Sequence, residues 1–260
     1  MTRGKYHLLA LGAIRTCVST WYIAKRYCER WKPSLFVYTD SRGFRIDNWW
    51  SRRNPIGAYV SMLAQQYRLT YHICPYRHTT LLDFLFDVHQ NDMARYDAII
   101  LHVGIVDFSP RPISQAAAVL KEKAHKIRAV FGDKASEFEP YLHKDVYDGE
   151  PTASLYSPQV LTDLILPEIK KLKSRLVWIG INNIVLEWRG NYHRDRPRNM
   201  NVVGEFQARV EFGRGYEVLS LSHWSEQQIR QFTVDNIHLS RVGNEYLFGE
   251  LSVRLLNRSV

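Results

Sequence analysis

Ser41, Asp235 and His238 have the side-chain types of a nucleophile, an orienting carboxylate and a general base. Ser41 follows the apolar run Ser34 to Thr39 in SLFVYTDSRGF, while Asp235 and His238 stand three apart in FTVDNIHLS. An imidazole beside a serine hydroxyl can take its proton as the oxygen attacks a carbonyl, and a carboxylate holds the imidazole in the tautomer that does so. Each residue alone also has an ordinary reading: Ser41 as a turn or helix cap, His238 as a capping or buried histidine, Asp235 as a turn residue. Only their joint placement on one edge of a sheet would make them a site.

The surrounding pattern supplies such a sheet. Short apolar runs over Ser34 to Thr39, Tyr71 to Cys74, Ala98 to Val103, Arg175 to Gly180 and Glu217 to Leu221 alternate with helical patterns. The helices are expected over Ile56 to Tyr67, Thr80 to Gln90, Ile113 to Phe131, Pro158 to Leu172, Val202 to Phe212 and Arg241 to Leu256, with Pro158 as a first-turn signal and Ser240 as an N-cap. Continuously apolar strands separated by helices predict a mainly parallel five-stranded sheet covered on both faces, an α/β/α three-layer sandwich. In such sheets chemistry is sought beyond the carboxyl ends of the strands, where Ser41 falls.

Residues 12–31 place Ile14, Cys17, Val18, Trp21 and Tyr22 near helical spacing and predict an N-terminal amphipathic helix. It either packs on its own domain, the more ordinary arrangement, or lies on a membrane surface. The expected organisation is a helical extension over 1–32 and one domain over 33–260. Gly132 to Thr152, acidic and tyrosine-bearing, reads as an insertion or lid.

VYTDSRG resembles the first block of the SGNH/GDSL hydrolase superfamily, in which the serine closing the first strand is the nucleophile. DNIH resembles its last block, Asp-x-x-His, and HVGIVD its third, Gly-x-Asn-Asp. The resemblance implies a flavodoxin-like sandwich and a serine ester hydrolase with Ser41, Asp235 and His238 as catalytic residues and Gly104 in the third block. The Gly-Ile-Val-Asp stretch and following Pro-Arg are similar to bacterial SGNH-like proteins of surface-polysaccharide synthesis. That similarity implies an O-acetyl or other acyl ester of a carbohydrate as substrate.

The blocks also depart from the family. Thr39 replaces the first glycine, and Val106 stands where the family has the asparagine whose amide holds the oxyanion. Losing one such donor typically costs about a hundred- to a thousandfold in rate. Arg77, at the place of the second-block glycine, and His78 and Arg111 are candidates to compensate, a guanidinium supplying both donors and charge. Asp107 reads as structural. Two rival functions use the same fold: an O-acyltransferase with the same Ser41 and His238, and a noncatalytic glycan-binding scaffold, which Val106 favours.

Trp49 and Trp50, beside Arg52 and Arg53, are candidates for binding anionic sugars by stacking and charge, or form a packed loop with solvated arginines. Arg189, Arg194, Arg196 and Arg198 in WRGNYHRDRPR are a second anion-binding candidate, or a solvated loop. Net charge +9 favours anionic partners, but the basic residues are dispersed and match no nucleic-acid module, so no nucleic acid is expected. The ten histidines show no metal-ligand spacing and no glycine-rich phosphate loop occurs, so neither metal nor cofactor is expected. Three cysteines without a CxxC pair suit a reducing compartment, and Arg15 interrupts the stretch from Tyr6 to Ala24 as a signal peptide or spanning helix, so a cytoplasmic protein is expected.

Overall fold

Strands that are apolar at every position need cover on both faces, and the arrangement supplies it. The computed structural model describes residues 3–192 and 195–256. In chain order its elements are α1 (Arg3–Cys28), β1 (Ser34–Thr39), α2 (Tyr59–Gln66), β2 (Arg68–Ile73), α3 (Leu81–His89), β3 (Ala98–His102), the single turn α4 (Ile105–Phe108), β4 (Arg111–Pro112) and α5 (Ile113–Phe131). Then come β5 (Tyr141–Tyr147), β6 (Glu150–Ser154) and α6 (Pro158–Val160), which runs through a π-helical turn (Leu161–Ile165) into α7 (Leu166–Lys170). The chain closes with β7 (Arg175–Ile179), α8 (Val203–Glu211), β8 (Glu217–Leu219), α9 (Glu226–Phe232) and α10 (Arg241–Leu256).

The main sheet has five parallel strands in the order β2-β1-β3-β7-β8. Along β1, Phe36 and Tyr38 enter one apolar core with residues of α3, α5, α7 and α8, while Leu35 and Val37 enter a second with residues of α2, α9 and α10. This alternation is the pleat acting on a strand buried on both sides, and it yields a three-layer α/β/α sandwich. Thr39 is level with Ile73 and with His102, so β1, β2 and β3 end together at one edge.

Several boundaries differ from the sequence pattern. The N-terminal helix spans Arg3–Cys28 rather than 12–31. β2 begins at Arg68 rather than Tyr71, because an edge strand can keep Arg68, Thr70 and His72 half-buried and so loses the continuous apolar signature. α2 begins at Tyr59 rather than Ile56, after Gly57 takes a positive φ of 75°. The insertion after α5 is ordered: β5 and β6 form an antiparallel hairpin through Asp148 and Gly149, both at positive φ, and β6 pairs with β4 in a small second sheet.

Candidate active site

The loop after β1 is held from behind by a buried ion pair. Beyond Thr39 the chain makes one 3₁₀ turn, Ser41–Gly43, whose preceding Asp40 accepts the Arg42 backbone N–H at 2.9 Å. The Asp40 carboxylate also receives the Arg42 guanidinium, Nη2 to Oδ2 at 2.8 Å, and Arg42 Nη1 donates to the Gly180 carbonyl at 3.2 Å, just past β7. Both side chains are buried, so the pair and the Gly180 bond tie the Ser41 turn at the end of β1, past β3, to the end of β7. Gly43 is required by close approach: a Cβ there would stand 1.9 Å from Thr39 Oγ1. The Thr39 side chain thus occupies space that a residue other than glycine at 43 would close, and Thr39 itself remains ordinary strand.

The second half of the site is a tight loop between α9 and α10. Thr233 bridges Leu239, and Val234 donates to the His238 carbonyl at 2.8 Å. Asn236 sits at φ 72°, a region that asparagine tolerates better than most residues. Its buried side chain accepts from Val185 N–H at 2.8 Å and donates to the carbonyls of Val185, at 3.0 Å, and Trp188. Asn182 Nδ2 in turn donates to the Asn236 carbonyl at 2.8 Å. The loop carrying His238 is therefore stitched to the segment following β7.

The two loops bring the three sequence candidates together. Ser41 Oγ lies 2.9 Å from His238 Nε2, and His238 Nδ1 lies 2.8 Å from Asp235 Oδ2. Asp235 Oδ1 accepts the backbone N–H groups of Ile237 at 3.1 Å and His238 at 2.8 Å. Burial works against the charge of this carboxyl, but the hydrogen bond from the His238 ring and the two backbone N–H groups outweigh it and hold the carboxyl below its ordinary range. An ionised Asp235 accepts only, so His238 carries its proton on Nδ1 and presents a lone pair from Nε2 to the Ser41 hydroxyl. Arg196 supports the same corner, donating to the Asp235 carbonyl at 2.5 Å and standing 3.7 Å from Oδ2.

Ser41 and His238 open onto a cavity of about 300 Å³ whose walls include Val106, Arg111, Tyr147, Tyr192, Arg196 and Ile237. Arg111 donates to the carbonyls of Val106 and, at 3.4 Å, of Ser109. Burial pulls its guanidinium down to about 10, with Asp107 acting the other way, so it stays charged at neutral pH. Gly104 lies behind this wall at φ 124°, where a Cβ would come 2.9 Å from Phe108 Cε2, and it starts the turn that presents Val106. Asp107 points away from the cavity into structure, accepting from Leu81 N–H at 3.1 Å and Tyr156 Oη at 2.8 Å.

Other sequence candidates fall elsewhere. Arg77 is exposed in the turn after β2 and is not among the residues lining the cavity; His78 instead faces Glu122 at 3.7 Å. Trp49 and Trp50 also lie outside the lining, because the chain leaves the cavity after Ser41 and Trp49 packs on His7 of α1 with ring centroids 4.9 Å apart. In the basic loop Arg189 pairs with Asp195, Arg198 is exposed and Arg194 lies outside the described residues, leaving Arg196 in the cavity wall.

Tyr147, Asp148, Tyr192 and Ile237 are wall residues that sequence reasoning did not single out. For the first two a signal existed: Asp148-Gly149 between strand-like residues is a strong hairpin cue, and the hairpin carries them to the cavity.

No family model matches the chain, and no curated protein matches it. Among solved structures, one assigned as a platelet activating factor from Streptococcus pneumonia aligns over 98% of this chain and 100% of its own, with 13% identity and a TM-score of 0.44. An alpha/beta hydrolase enzyme from the metagenome of Lake Arreo, Spain, aligns over 86% of this chain and 95% of its own, with 14% identity and a TM-score of 0.41. Neither likeness bears on the chemistry of the cavity.

Proposed function

We propose that this chain is a serine ester hydrolase that removes a short acyl group, such as acetyl, from an alcohol. The observation that carries the reading is the unbroken relay from Ser41 Oγ to His238 Nε2 at 2.9 Å and from His238 Nδ1 to Asp235 Oδ2 at 2.8 Å, opening on a cavity. His238 Nε2 takes the hydroxyl proton as Ser41 Oγ bonds to the ester carbonyl carbon. The carbonyl electrons move onto oxygen, and their return expels the alkoxide, which leaves with the proton from His238. Water, activated by the same imidazole, then frees the acid and restores Ser41.

The oxyanion needs donors that Val106 does not offer, and Arg111 is the charged group on the same wall proposed to supply them. A carbohydrate as the alcohol rests on the resemblance of the motifs, since Trp49 and Trp50 stand outside the cavity. A fluorophosphonate probe tests the chemistry. Labelling should fall on Ser41 and vanish in His238→Ala, with p-nitrophenyl acetate hydrolysis lost in parallel. Val106 favours a noncatalytic glycan-binding scaffold as second reading, and folded wild-type protein that takes no label would move the balance to that reading.

A further inference from the structure

An ordinary surface helix turns its apolar residues to the body and its charges to water. α1 distributes them otherwise. Between Leu8 and Cys28 every exposed residue is uncharged, and the charged residues of that span, Arg15, Lys25 and Arg26, are half-buried. Arg15 donates to the Arg52 carbonyl at 3.3 Å, Arg26 to Thr70 Oγ1 at 2.6 Å, and Lys25 pairs with Glu29 at 2.6 Å. Leu11 and Tyr22 face the body, with Tyr22 edge-on to Tyr71 of β2 at 5.2 Å. At about 100° per residue, Leu9, Thr16, Thr20, Ile23 and Tyr27 share the opposite side. Leu9 is 70% exposed and Tyr27 60%, so a long uncharged stripe is left open.

The charges around the stripe say what covers it. Residues 1–32 carry seven Lys and Arg against the single acidic Glu29, so six of the chain's nine net positive charges arise there. Arg30 is exposed at the carboxyl end, and Arg52 is exposed beside the Arg15 contact. Trp21, Tyr27 and Trp31, all exposed, are rings suited to the boundary between hydrocarbon and headgroups. Along the helix runs an apolar groove of about 510 Å³ walled by Val18, Trp21, Tyr22, Ile56 and Ala64. Among the described residues no helix is long and apolar enough to cross a membrane, and α1 is tied sideways to β2.

We propose that α1 lies in the plane of an anionic lipid surface, its uncharged side in the outer hydrocarbon and its flanking cations on the headgroups. This goes beyond the ester chemistry and does not depend on it. The full chain should pellet with vesicles of phosphatidylcholine and phosphatidylserine and stay in the supernatant with phosphatidylcholine alone. Ile23→Glu/Tyr27→Glu, changes on an exposed surface that circular dichroism can confirm leave the fold intact, should weaken vesicle binding about tenfold or more. Arg30→Glu/Arg52→Glu should likewise weaken pelleting with the vesicles that contain phosphatidylserine. No pelleting of the wild type, equal pelleting on neutral vesicles, or unchanged pelleting of the Ile23→Glu/Tyr27→Glu variant would each overturn the proposal. So would a wild-type dimer, indifferent to vesicles, that Ile23→Glu/Tyr27→Glu converts to a monomer, since the stripe would then join two copies of the chain.

Discussion

Asp235 grips His238 twice: one carboxylate oxygen accepts the His238 backbone N–H at 2.8 Å, and the other faces the imidazole Nδ1 at 2.8 Å. A three-residue spacing makes this possible, because the turn brings the histidine backbone and ring to one side chain. Position and tautomer of the proposed base therefore have a common origin.

Asp235→Asn should separate them. The amide oxygen can keep the backbone bond, but an NH₂ group facing Nδ1 favours the tautomer whose Nε2 is protonated. The kcat for p-nitrophenyl acetate should fall by about 10³- to 10⁴-fold with little change in circular dichroism. A loss of less than tenfold would remove Asp235 from the relay.

Asn236 is not among the residues lining the cavity, and its side chain fastens the loop that carries His238 to Val185 and Trp188. Asn236→Ala discards its bonds to Val185 and Trp188 and leaves an ordinary residue at positive φ, so urea unfolding should show a loss of about 1–3 kcal/mol. Asn236→Gly keeps the backbone at ease and should be the more stable of the two by about 1 kcal/mol. Both should lower kcat more than they raise KM. Equal stabilities would mean that the backbone conformation contributes nothing.

Arg111 and Val106 should be coupled. Arg111→Ala should lower kcat about a hundredfold if its guanidinium stabilises the oxyanion. Adding Val106→Asn to Arg111→Ala should recover at least about tenfold by restoring a neutral donor at the same wall, a gain that a purely structural Arg111 would not allow. Single-turnover kinetics on the two variants and the double variant decides the point.

Asp107 should set a pH dependence of stability. Burial pushes its carboxyl up to about 7, despite the hydrogen bonds from Tyr156 and Leu81, whereas an unfolded aspartate titrates near about 3.9. The folded state holds the extra proton between these values, so the stability this group contributes is complete below about 4 and lost as pH rises through about 7. Urea midpoints of the wild type should decline relative to Asp107→Asn across that window. Parallel profiles would show that Asp107 titrates normally.

Much of the scaffold was legible locally. β1, α5 and α10 have the limits the pattern predicts, and Ser157 and Ser240 cap the helices they precede, accepting from Val160 N–H at 3.2 Å and Gly243 N–H at 3.1 Å. α9 was missed although Ser225 and Gln228 form a capping box visible in the sequence. The two-residue β4 was beyond such reading, since a strand that short exists only through its pairing with β6.

The sequence by itself determined the parallel sandwich and the strand-end address of Ser41, because apolar periodicity and turn chemistry are properties of neighbouring residues, whereas the fold alone put Asp235 and His238 in a loop between two helices. Only the tertiary structure decided that Arg111, Tyr147 and Arg196 share a wall with Ser41 while Arg77, Trp49 and Trp50 do not. Cavity walls come from loops far apart in the chain, and which of them meet depends on how the hairpin and the segment after β7 dock, a matter of packing that no local pattern records. The same holds for α1: its spacing announced a helix, but only the contacts of Arg26 with Thr70 of β2 and of Arg15 with the Arg52 carbonyl show that these two cations face inward while the uncharged side faces out.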